Sequence, residues 1–88
     1  MANHVSAEKR ARQNEKRRMY NRMRKGAVRS AIRRVIDAVD SVDRKSAGEA
    51  LNAAVSLIDR AGQRGVIHRR QAFRRISRLT AKVKGLSS

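Results

Sequence analysis

The chain contains no cysteine, no proline and no tryptophan. Without thiols it can form neither a disulfide nor a thiolate metal site, which fits a reducing cytosol. Without proline, and with only five glycines in 88 residues, it has few points at which a helix must stop. Aromatic residues are limited to Tyr20 and Phe73, so base stacking on an aromatic platform is not expected as a recognition mode. No run approaches the ~18 consecutive apolar residues of a membrane span, and no apolar signal region follows the basic N-terminus. Catalytic groups are equally scarce. His4 and His68 lie far apart, and there is no glycine-rich phosphate loop or metal-ligand spacing. A chain of this size, read as a single small domain, is also expected to leave no room for a cleft. No enzyme activity, metal, cofactor or small-molecule substrate is expected.

Acid is the other shortage. Seven Asp and Glu stand against 23 Lys and Arg, a net charge of +16. Such a surplus repels itself unless a polyanion neutralises it, so nucleic acid is the first partner to consider and an anionic membrane surface the second. The charge is unevenly placed. Residues 1–26 hold nine basic and two acidic groups, and residues 66–88 hold seven basic and none acidic. The middle, 27–65, is close to balanced, with seven basic and five acidic. Seventeen of the cations are Arg, which suits two-point gripping of phosphates and would equally follow from a GC-rich coding bias.

The pattern predicts an all-α chain of three helices. The first is capped by Ser6, with Glu8 in its positive first turn, and meets no breaker until about Val42. "SAGE" at Ser46–Glu49 reads as a capping box opening a second helix. That helix carries an apolar stripe of Ala47, Ala50, Leu51, Ala54, Leu57, Ile58 and Ala61. It stops at "AGQRG", where Gly62 or Gly65 takes the left-handed position. A third helix begins near Ile67 or His68 and fades before Gly85, with Ala72, Phe73, Ile76, Leu79, Thr80, Val83 and Leu86 as its buried face. Short connections favour antiparallel neighbours, hence a three-helix bundle. Asp37, Asp40 and Asp43 recur every third residue and could hold a cation, but solvating the end of helix one is the plainer role, with Asp40 and Arg44 as an i,i+4 pair.

In helix one, Val28, Ile32, Val35, Ile36 and Val39 lie within about 100° of arc and form the core face. Followed toward the N-terminus, the same arc carries Lys25, Asn21, Arg18, Arg17, Asn14 and Arg10. A helix with that sequence cannot join a core there, so residues 1–26 are expected to project as a basic arm from a bundle formed by 27–88. The arm's cations surround it, which suits insertion among phosphates on several sides. Met19 and Met23 add at most a small adaptable contact. Gly26 is either tolerated at a cost of about 1 kcal/mol relative to Ala, or marks a bend or a place where backbone meets phosphate. On helix three, Arg70, Arg74, Arg75, Arg78 and Lys82 oppose the apolar arc with no acid to relieve them.

The candidate contacts to RNA are therefore Asn3, Lys9, Arg10, Arg12, Gln13, Asn14, Lys16, Arg17, Arg18, Asn21, Arg22, Arg24, Lys25 and Arg29 on the first helix. His68, Arg69, Arg70, Arg74, Arg75, Arg78 and Lys82 are those of the third, His68 doubling as a helix-start or packing residue. A histone-like DNA-compacting role draws on the same charge, but the all-round arm and the lack of a dimerising surface or minor-groove wedge disfavour it. A membrane-active helix is disfavoured by the arm's lack of an apolar face.

"MAN" at the start, "SAEKR" at Ser6–Arg10, "QNEKRR" at Gln13–Arg18, Asn21, Arg24 and Arg29 follow an ordered pattern. It continues through Ile32, Val35, Asp59, Arg60, Gly65, Ile67, His68, Ala72, Arg74, Ser77 and Leu79. Over nearly its whole length the chain resembles the bacterial small-subunit ribosomal protein twenty family. His4, Val5, Arg70, Phe73 and Ile76 depart from the family pattern. The resemblance implies a three-helix bundle with a long first helix, located in the cytoplasm within the ribosome. It implies direct binding to the 5′ domain of small-subunit ribosomal RNA and a second contact to the long penultimate RNA helix. Other small-subunit ribosomal proteins are possible neighbours, and no homo-oligomer or membrane partner is expected.

Overall fold

In a computed structural model the backbone is described for residues 2–87 and the side chains for 5–86. Three helices follow one another: α1 (Ala2–Asp40), α2 (Arg44–Gln63) and α3 (Arg69–Ser87). The expected all-α arrangement, with helices two and three about half the length of the first, is what the chain adopts. At 1.5 Å per residue α1 measures about 58 Å, nearly the full 67 Å length of the molecule, whose other dimensions are 21 and 13 Å.

Helix α1 begins before Ser6, so Ser6 lies inside it and does not cap it. Its C-terminus closes by paired hydrogen bonds, with Val42 N–H donating to Val39 C=O and Asp43 N–H to Ala38 C=O, both at 3.0 Å. This pairing places Val42 at a left-handed φ of 55°, a conformation that costs an L-residue about 1–2 kcal/mol and usually falls to glycine. The side chain is exposed and offers no packing in return. Val42→Gly is therefore expected to raise stability by roughly 0.5–1 kcal/mol, the relief of strain being partly offset by the freer unfolded chain. Denaturant titration should show this gain for glycine and none for Val42→Ala, whose Cβ meets the same clash.

Asp43 also starts the next helix. Its carboxylate accepts from the Ser46 N–H at 3.1 Å and from the Ser46 hydroxyl at 2.7 Å. The predicted box is thus shifted by one turn: Asp43 is the cap and Ser46 the third helical residue, and Glu49 has no part in it. The bonds from Ser46 hold the Asp43 carboxyl below its ordinary pKa. The cap therefore stabilises fully above the unfolded value and is lost as pH falls through the lowered one. Because the chain leaves α1 at Asp40, Asp40 and Arg44 do not share a helix, and the expected pair between them is not an intrahelical one.

Helix α2 ends in the same way as α1, this time with the residue the geometry prefers. Gly65 has φ 74°, and Val66 N–H donates to Ala61 C=O at 2.9 Å. Gly62 sits inside the helix for a different reason. A Cβ there would lie 2.9 Å from the Ala72 Cβ, so the missing side chain is what lets α2 and α3 touch. Helix α3 is capped by His68, whose Nδ1 accepts from the Arg70 N–H at 3.1 Å. It continues through Gly85 to Ser87, past the expected end.

The core is small and rich in alanine. Val28, Ala31 and Val35 of α1 meet Ala54, Ile58 and Ala61 of α2 and Ala72 and Leu79 of α3, with Val66 and Ile67 closing the end. Ile32, Val39, Leu51, Leu57, Ile76 and Val83 are half-buried around them. Thr80, also half-buried, satisfies its hydroxyl by donating to the Ile76 carbonyl at 2.8 Å. Phe73 does not belong to this core: it is 74% exposed. It stands 100° round the helix from Ala72, at the edge of the arc, and the close approach at Gly62 and Ala72 leaves no space for a ring at the point where the two helices touch.

Candidate nucleic-acid interface

The packing determines where the cations go. Arg24 and Ala27 line a groove with Leu57, Arg60 and Arg64 of α2, so α2 runs back along α1 and ends beside residue 24. Among the described residues, nothing covers α1 beyond that point. From Val5 to Tyr20 every residue is exposed, and only Asn21 is half-buried. Lys9, Arg10, Arg12, Gln13, Asn14, Lys16, Arg17 and Arg18 thus all face solvent, as do Arg22, Arg24, Lys25 and Arg29. Asn3 falls outside the residues whose side chains are described. The projecting part of α1 also exposes Met19, Tyr20 and Met23, and the Arg24 guanidinium lies 6.0 Å from the centre of the Tyr20 ring, at the limit of cation–π range.

On α3, Arg69, Arg70, Arg74, Arg75, Arg78 and Lys82 are all exposed. Arg70, Arg74 and Arg78 lie on the side of the helix turned from Ala72 and Leu79, while Arg69, Arg75 and Lys82 flank the buried arc. The two cationic sets meet in a groove of about 510 Å³ lined by Lys25, Arg29, His68, Gln71 and Arg75, with Val28, Ile32, Val66 and Ile67 among its walls. His68 accepts from the Arg70 N–H at Nδ1 and its ring also lines this groove. Helix start and phosphate contact are therefore compatible roles for this residue. On the other side of α1, Arg24, Arg60 and Arg64 come together.

Arg60 and Arg64 were not among the candidates from sequence. They belong to the nearly neutral middle segment, and only the fold carries the end of α2 to the base of the arm. Open, shallow grooves run between each pair of helices, one of about 760 Å³ between α2 and α3. Among the described residues no group of acids and histidines is arranged to hold a metal ion. Asp43 of the acidic triplet is engaged as a helix cap. No described helix is long and apolar enough to cross a membrane.

Comparison with known proteins places the sequence in a family. The family model for ribosomal protein S20 matches residues 2–84. The small ribosomal subunit protein bS20 of Shewanella loihica is 47% identical over 88 residues, covering both chains completely. That of Syntrophobacter fumaroxidans is 50% identical over 86 residues, or 98% of this chain and 100% of the relative. The chain belongs to the ribosomal protein S20 family, whose members are structural proteins of the ribosome and not enzymes.

Proposed function

We propose that this protein is a structural constituent of the small ribosomal subunit in the bacterial cytoplasm. It binds small-subunit ribosomal RNA directly, as one domain in which residues 1–26 are the arm and 27–88 the bundle. Family membership supports the ribosomal setting, and the observation that carries direct RNA binding is the uncovered half of α1. Sixteen consecutive exposed residues, Val5 to Tyr20, hold six cations around a single helix. Such a helix gains nothing by folding onto its own bundle and gains much among phosphates. Neutralising them supplies affinity, while the rigid helical scaffold fixes the arm relative to α3. Specificity comes mainly from RNA shape, since the side chains offered are mostly charged.

In this reading Lys9 to Lys25 enter the 5′ domain of the RNA. Arg29, His68, Arg74, Arg75, Arg78 and Lys82 hold the adjoining segment, and one face reaches the long penultimate helix. The protein then helps the RNA compact by keeping two segments at a set distance. Competition among folded small-subunit RNA, duplex DNA and anionic vesicles at moderate salt tests it. The folded RNA is expected to displace both. Equal competition by duplex DNA would favour the DNA-compacting alternative instead.

A further inference from the structure

Phe73 is the most exposed of the large apolar side chains described, more so than the methionines of the arm. It borders the groove between α2 and α3, whose floor is formed by Gly62, Ala72 and Ile76. Arg69, Arg70 and Arg74 line the same groove. Across it stands Asp59, with one carboxylate oxygen accepting from the Gln63 side-chain amide at 3.1 Å and the other left open. An apolar floor, one exposed ring, three guanidinium groups and a carboxylate are an unusual set on a surface otherwise built for phosphates.

We infer that this groove receives a single unpaired nucleobase of the RNA. The base stacks on Phe73, and Arg70 and Arg74 hold the phosphates on either side of it. Isolated bases of folded RNA are recognised in this manner, by stacking on one aromatic ring and by hydrogen bonds to the base edge. Full aromatic platforms are not needed for that. The cationic rim selects a nucleotide over an apolar protein segment, because the guanidinium groups lining the groove would have to be desolvated to seat the latter. Asp59 narrows the choice further. A carboxylate accepts only, and among the four bases guanine presents two adjacent N–H donors on its pairing edge. This proposal rests on the ribosomal RNA-binding reading above and adds a base-specific contact to it.

The chain has no tryptophan, so Phe73→Trp introduces a single tryptophan, excited selectively over Tyr20, that retains the stacking surface. Titrated with small-subunit RNA, its emission is expected to be strongly quenched as the base stacks on the indole. Phe73→Ala, at an exposed position that does not threaten folding, should weaken binding roughly five- to 100-fold, the range of one stacked base. The dependence of its affinity on salt should be unchanged, because no phosphate contact is removed. Asp59→Asn gives the sharpest sign. Removing an acid should tighten binding to a polyanion if only charge matters, whereas loss of a guanine contact should weaken it. RNA binding by the tryptophan variant without quenching would overturn the base site and leave the RNA-binding reading intact. A blue shift that occurs only in assembled subunits would overturn it in favour of a protein neighbour. Failure of the wild-type protein to bind the RNA at all would overturn both.

Discussion

Deleting residues 1–25 should lower the dependence of log affinity on log salt by about 3–4. Each phosphate neutralised contributes about 0.7–0.9 to that slope, and half of the arm's cations engaged would be roughly four or five phosphates. The arm holds nine of the 23 basic residues, none of them in the core. Among the described residues the first buried one of α1 is Val28, so the truncated chain keeps every core side chain described and should still fold. Neutralising Arg74, Arg75 and Arg78 together should reduce the slope less, by about 2–3. Footprinting distinguishes the mechanisms more directly. With the arm gone, one protected RNA region should disappear while another, held by α3, persists. Uniform weakening of all protections would mean one continuous site, and the bridging of two segments would be wrong. The groove formed by Lys25, Arg29, His68 and Arg75 is where the two sets adjoin, so the retained footprint should begin beside it.

The long first helix and its loss of an apolar face toward the N-terminus were legible because both are periodic. At 100° per residue a stripe that turns from valine to arginine has only one physical meaning. Most of the buried set of α2 was likewise read, since Ala47, Ala54, Ile58 and Ala61 keep helical spacing; Ala50, Leu51 and Leu57 of the same stripe are half-buried, and buried Gly62 was not on it. What escaped was whatever depends on two segments meeting. Val66 and Ile67 are buried in the connection between α2 and α3, where no period exists to mark them. Ala31 is buried between Val28 and Val35, but alanine carries too little hydropathy to claim a place on a stripe. Phe73 was assigned to the core because phenylalanine usually is buried. Its exposure follows from the contact between Gly62 and Ala72, two residues that are ten positions apart and whose pairing no local pattern announces. The capping box failed by one turn for a similar reason. "SAGE" satisfies the local rule, but Asp43, just past the left-handed Val42, offers a carboxylate three residues earlier and takes the position. Arg60 and Arg64 joined the cationic surface only through the antiparallel return of α2.

Ile58→Ala should be the most damaging single truncation in the bundle. Ile58, Val28 and Val35 are the largest fully buried side chains, and Ile58 belongs to the middle helix, which packs against both others. Removing three methylene-sized groups from such a site costs roughly 2–4 kcal/mol, and small domains rarely hold more than about 5–15 kcal/mol in total. A charge of +16 erodes that margin further in the free protein. Leu79→Ala, also buried, should cost a similar amount, and Ile32→Ala distinctly less, because Ile32 is only half-buried. The consequence for RNA binding differs in kind from that of deleting the arm. No cation is lost, so the salt slope should be unchanged. Apparent affinity should fall only by the fraction of molecules left unfolded, and saturating RNA should restore helicity by binding the folded form alone. Circular dichroism of Ile58→Ala with and without RNA reads both effects. A variant that melts like wild type would show that the three helices do not share this core. One that stays unfolded in saturating RNA would show that the bundle must be formed before the RNA can be held.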